Sequence, residues 1–175
     1  KVEFSDHLKK LDATQQSEID KNNQIIETAR RQRELKIINH PVFGEYIERL
    51  PKCLYGIYHE IEYGDHEWQV HEGDLIINGD WQPDNIALII TGNLYLSGLY
   101  DGYSKGFSFI VVLGDMTAAN LVCWYGLSVA GNLKVKGMIN IEHYCFPFEV
   151  AGDLQARHLS IHHSDRTIHW NNLYV

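Results

Sequence analysis

The chain has 175 residues, 45% of them hydrophobic and 22% charged, with 15 Lys and Arg against 23 Asp and Glu for a net charge of −8. That length supports one domain with a substantial core, and the acidic balance disfavours nucleic acid and anionic membranes as partners. The apolar run 86–90 is far too short to span a bilayer, and three cysteines without CxxC spacing read as free thiols of a cytoplasmic protein.

The first forty residues are polar and contain no glycine. Phe4, Leu8 and Leu11 stand at helical spacing behind Ser5, an N-cap type, which predicts a short helix over 5–12. A longer helix is expected over 15–36, ended by Pro41, and a third over 43–50, ended by Pro51. Residues 1–52 are therefore read as a helical N-terminal cap or arm, and 53–175 as a separate β domain.

Beyond that point the chain repeats itself. LIITGNLYLSGL from Leu88, IVVLGDMTAANL from Ile110, LSVAGNLKVKGM from Leu127 and FEVAGDLQARHL from Phe148 align on Gly92, Gly114, Gly131 and Gly152. A weaker copy, LIINGDWQPDNI, starts at Leu75 and aligns on Gly79. Apolar residues alternate with period two in each copy, as strands with one buried face require. The inward columns are Leu88, Ile110, Leu127 and Phe148; Ile90, Val112, Val129 and Val150; Leu94, Met116, Leu133 and Leu154; Leu96, Ala118, Val135 and Ala156. One more apolar position follows, at Leu99, Leu121, Met138 and Leu159. The Gly-Asx pair predicts a corner, with glycine supplying a positive φ. Self-similarity at a period near 20 residues predicts stacked coils. The fold class is thus mainly β, a parallel, right-handed β-solenoid with an N-terminal helical segment. An antiparallel sandwich is the alternative, and the strict six-residue repeat of a left-handed hexapeptide helix is absent.

Charge is unevenly divided. Residues 1–40 carry 8 basic and 7 acidic side chains, whereas 41–175 carry 7 and 16. No Lys or Arg occurs between Lys52 and Lys105, an interval that holds Glu60, Glu62, Asp65, Glu67, Glu72, Asp74, Asp80, Asp84 and Asp101. Such a field draws in a basic protein, or else serves solubility alone. The segments joining the copies add Tyr100, Tyr103, Trp124, Tyr125, His143 and Tyr144. These are residue types that anchor interfaces, although any of them could instead fill the core. Asp115 and Asp153 could be read as the carboxylate pair of a polysaccharide-cleaving β-helix, but corner chemistry asks for the same residues. The histidines at 59, 66 and 71 and at 158, 162, 163 and 169 lack metal-ligand spacing. No catalytic residue, metal or cofactor is expected.

The units VAGNL at 129–133 and VAGDL at 150–154 resemble the aliphatic-x-Gly-Asx-Leu repeat of small bacterial β-solenoid proteins labelled polymer-forming. Some of these stand beside toxin genes as immunity proteins of polymorphic toxins. The resemblance covers residues 75–170. It implies a non-enzymatic, protein-binding module, an immunity protein that neutralises a cognate basic toxin domain. Glu60, Glu62, Glu67, Glu72 and the six linker residues just named are then the partner-binding set. A self-assembling structural solenoid, with homo-oligomers, and a carbohydrate-active β-helix enzyme are the alternatives.

Overall fold

The computed structural model describes residues 67–103, 108–142, 147–162 and 168–175, preceded by 18, 20, 21, 24, 44, 46, 49–51 and 54. The helices expected over 5–12, 15–36 and 43–50 lie outside the described residues except at isolated positions.

The chain winds into a parallel β-solenoid of about five turns. Coil one supplies β1 (Trp68–His71) and β2 (Leu75–Ile77). Coil two supplies β3 (Ile86–Ile90), β4 (Leu94–Leu96) and β5 (Leu99–Asp101), and coil three β6 (Ser108–Val112), β7 (Met116–Ala118) and β8 (Asn120–Cys123). Coil four follows with β9 (Gly126–Val129), β10 (Leu133–Val135) and β11 (Met138–Glu142). Coil five has β12 (Phe148–Val150), β13 (Leu154–Gln155) and β14 (His158–His162), and β15 (Ile168–His169) and β16 (Leu173–Tyr174) stack on it. Three sheets result: β1-β3-β6-β9-β12-β15, β2-β4-β7-β10-β13-β16 and β5-β8-β11-β14. All of these pairings are parallel, which excludes the antiparallel sandwich.

The four inward columns from Leu88 onward stack between the three sheets as one core. No single coil could bury these residues, so each ladder holds only because its neighbours are in place. In coil one the register differs from the sequence expectation. Leu75 pairs with Leu94, and it is Gln69 that pairs with Leu88. The first copy therefore turns at Gly73-Asp74, and Gly79-Asp80 belongs to the next corner. A six-residue shift leaves every side chain on the same face, so alternation does not distinguish the two registers. On the third sheet the inward column is Tyr100, Leu121, Ile139 and Leu159, while Leu99 and Met138 pair with the outward Asn120 and His158. The corner before this sheet holds one more residue in coils two and four than in coils three and five, and that residue turns Leu99 and Met138 outward.

The corner glycines also differ from expectation. Among the described glycines, only Gly73 and Gly79 have positive φ. Gly131 shows what the others do: a Cβ there would stand 2.3 Å from Asp115 Oδ1 and 2.7 Å from the Gly114 carbonyl oxygen. Glycine is needed because the Asx oxygen of the preceding coil occupies the space of a side chain. That oxygen accepts the next backbone N–H: Asn93 N to Asp74 at 2.7 Å, Asp115 N to Asn93 at 2.8 Å, Asn132 N to Asp115 at 2.7 Å and Asp153 N to Asn132 at 3.0 Å. The column alternates strictly, Asp74, Asn93, Asp115, Asn132, Asp153, Asn172. Each asparagine amide donates back to the aspartate before it, at 3.1, 3.2 and 2.8 Å.

The inner strands of the first sheet, β3, β6, β9 and β12, are buried on both faces. Ala87, Ile89, Phe109, Val111 and Leu113 form a second apolar cluster with Trp68, Leu50 and Leu54. Trp68 meets the Phe109 ring edge-on at 5.5 Å, and the Arg49 guanidinium donates to the Thr91 carbonyl. Tyr46, Arg49, Leu50 and Leu54 thus lie along the flank of the first sheet. Continuous apolar runs, IALII in β3 and FIVV in β6, are what a strand buried on both faces requires.

Candidate functional site

Call the corner between the first and second sheets the first corner, that between the second and third the second, and that between the third and first the third. The first two are tight, and the third joins strands separated in the sequence by unequal numbers of residues, from two between β8 and β9 to six between β5 and β6. Of the aromatic residues singled out above that are described, Tyr103, Trp124 and Tyr125 sit at the third corner.

Tyr103 is 55% exposed, and its ring lies 4.4 Å from that of the half-buried Trp124, tilted by 59°. Two polar groups hold it. Asp101 Oδ1 accepts the Tyr103 backbone N–H at 3.0 Å, and Gln82 of coil one donates to the Tyr103 carbonyl at 2.7 Å and to Asp101 Oδ2 at 3.3 Å. Gly102 N donates to the Val122 carbonyl at 2.7 Å, tying the linker to coil three. Tyr125 is half-buried beside Trp124 and accepts from the Cys123 thiol through its carbonyl at 2.9 Å.

Tyr100 takes the other role open to it. Only 1% of it is exposed, and it packs inward with Trp81 edge-on at 5.7 Å. Its place in the partner-binding set is corrected to a place in the core, because the extra residue at the second corner turns Leu99 outward and Tyr100 inward. Burial, with Cys123 and Asp101 beside it, pushes the Tyr100 phenol well above its ordinary range. Burial likewise pushes the Cys123 thiol up to about 12, so it is neutral and unreactive in the folded chain.

The acidic interval is divided among the corners. Glu67 precedes β1 and stands at the third corner, together with Asp84 and Asp101. Glu72 and Asp74 lie at the first corner and Asp80 at the second. Among the described residues, the third corner of coils one to four holds four carboxylates, Glu67, Asp84, Asp101 and Glu142, and no Lys or Arg. Glu60, Glu62, His143 and Tyr144 lie outside the described residues. Gln82 and Trp81 were not singled out in the sequence; the Trp81–Tyr100 bridge that lays coil one under coil two is what brings them to this corner.

Asp115 and Asp153 stand in the first-corner ladder with their Oδ1 atoms engaged by Asn132, and by Asn171 and Asn172, respectively. That is the chemistry of stacking. Among the described residues no three His, Cys, Asp or Glu side chains converge to hold a metal ion, and no helix is long and apolar enough to cross a membrane.

No protein-family model and no solved structure matches the chain. It is 35% identical over 77 residues to an Escherichia coli (strain K12) protein described as uncharacterized protein YdbD; the match covers 44% of this chain and spans about a tenth of that relative's length, 10%.

Proposed function

We propose that the chain is a non-enzymatic, protein-binding β-solenoid whose third corner receives a basic protein, and that it acts as an immunity protein masking a cognate toxin domain. The observation that carries this reading is the Tyr103–Trp124 pair, held in place by Gln82 and Asp101 on an acidic corner. An exposed aromatic pair fixed by hydrogen bonds loses little entropy on docking, and carboxylates around it speed the encounter with a cation.

The test is binding kinetics against the product of the neighbouring gene at two salt concentrations. Tyr103→Ala or Trp124→Ala should speed dissociation by roughly 30-fold, the equivalent of about 2 kcal/mol for an anchor residue. Glu67→Gln with Asp84→Asn should slow association at low salt and leave dissociation nearly unchanged. Unchanged dissociation in both aromatic variants would remove the third corner from the interface.

A further inference from the structure

Coils two to five point their corner amides back along the axis. At the first corner Gly92, Gly114, Gly131 and Gly152 each donate to the glycine carbonyl of the coil before, at 2.9 Å. At the second corner Gly98, Ala119 and Gly137 donate likewise to the carbonyls of Gly79, Gly98 and Ala119, at 3.0, 2.9 and 2.8 Å. Coil one is built the other way round. Gly73 and Gly79 have φ of 83° and 118°, and their N–H groups turn forward into coil two, to Thr91 Oγ1 and Ser97 Oγ, both at 2.8 Å. These hydroxyls belong to coil two alone: the residues that follow the same columns later are Leu113, Ala130 and Ala151 for Thr91, and Ala119, Lys136 and Arg157 for Ser97. No described atom lies within 4 Å of a Cβ built on Gly73 or Gly79, the place that an Asx oxygen fills in the later coils.

We infer that coil one is a built terminator, which closes this end of the solenoid to coil-on-coil stacking by a second copy of the chain. A stacking coil would offer a carbonyl at each corner, as Gly73 does to Gly92. Coil one has withdrawn both of the donors that would meet it, and glycine adopts without strain the backbone conformation that does so. The edges of β1 and β2 stay unpaired among the described residues, and the corner flips are what keep them from setting a register with another solenoid. This inference stands apart from the binding reading, since it concerns neither the third corner nor any heterologous partner.

The experiment uses the full chain and Thr91→Val/Ser97→Ala, which removes both acceptors at positions outside the core. Amide exchange should show the Gly73 and Gly79 N–H groups protected in the wild type and fast in the double variant. Sedimentation velocity over a wide concentration range should show self-association strengthened by roughly tenfold for each corner regained. Adding Ile76→Lys on the β2 edge, where the side chain is 67% exposed, should abolish the heavier species. Three results would overturn the inference: fast exchange of the two glycine amides in the wild type, equal association of wild type and double variant, or a heavier species that survives Ile76→Lys.

Discussion

Asn132→Asp places a new carboxylate between Asp115 and Asp153, where the ladder keeps an amide. Neighbouring strands of a sheet are about 4.8 Å apart, so the new charge faces one like charge on each side at that spacing. Two unit charges about 5 Å apart repel by about 0.8 kcal/mol in bulk water and about 3 kcal/mol at an effective dielectric of 20. Asn132 and Asp115 are exposed and Asp153 is half-buried, so the aqueous figure is the better guide, at about 1 kcal/mol per neighbour. The lost bond from Asn132 Nδ2 to Asp115, 3.2 Å long, adds about 0.5–1 kcal/mol. The total, about 2–3 kcal/mol, lowers the melting temperature by roughly 4–12 °C for a chain of this size. Asp115→Asn removes a charge and keeps the accepting oxygen, and its effect should stay within about 0.5 kcal/mol. The sign with pH follows from repulsion. Three crowded carboxylates take up a proton more readily folded than unfolded, so the deficit is full at neutral pH and shrinks as pH falls through the carboxylate range. Thermal melts at pH 7 and about pH 4, with and without about 1 M salt to shorten the screening length, provide the assay. A deficit that persists unchanged at low pH and high salt would refute the electrostatic account of the alternation.

The remaining predictions address the core, the thiol and the third corner. Inward Leu133→Asp should cost several kcal/mol, from about 1.5–3 lost with the side chain plus the burial of a charge, while outward Lys134→Ala stays near neutral; equal melting temperatures would refute the register. Cys123 should resist alkylation in the native chain and react on unfolding, as followed by mass spectrometry of its peptide. Because burial raises the thiol from its ordinary 9.0 to about 12 in the folded chain, its contribution is complete below about pH 9 and falls by about 1.4 kcal/mol per pH unit up to about pH 12. Cys123→Ala should therefore flatten the alkaline loss of stability seen in urea melts. Gln82→Ala should loosen Tyr103 over Trp124, read as a weaker near-ultraviolet circular dichroism signal with little change in melting temperature.

The solenoid itself was legible because its signals are local and redundant. Each inward column is repeated four times, and a stacked column of aliphatic residues admits few other folds. The first coil was not, because two Gly-Asp pairs six residues apart, at 73–74 and 79–80, fit one alternation equally well. Tyr100 was ambiguous for a related reason. Whether it points in or out turns on one additional residue at a corner, a matter of loop count that polarity does not report. The double burial of the first sheet had a signal, the unbroken runs in β3 and β6, but a run of apolar residues does not say what covers it. Gln82 had none: an isolated polar residue gains its role only from the coil stacked above it.

The outer column of the first sheet changes chemistry along the axis. It runs Val70, Ile89, Val111, Ser128, Glu149 and His169, one residue per coil. Ile89 and Val111 lie in the apolar cluster with Leu50 and Leu54, whereas Ser128 donates to the Glu149 carboxylate at 3.2 Å, and both of these are 0% exposed. A covering segment displaced by a coil or two would set hydrocarbon over a carboxylate at one end and leave aliphatic surface wet at the other, and both errors are costly. The column works as a graduated scale. A repetitive scaffold offers nearly the same seat at every coil, and this gradient makes one seat different from the rest, so that the flanking chain has a single address on an otherwise periodic surface.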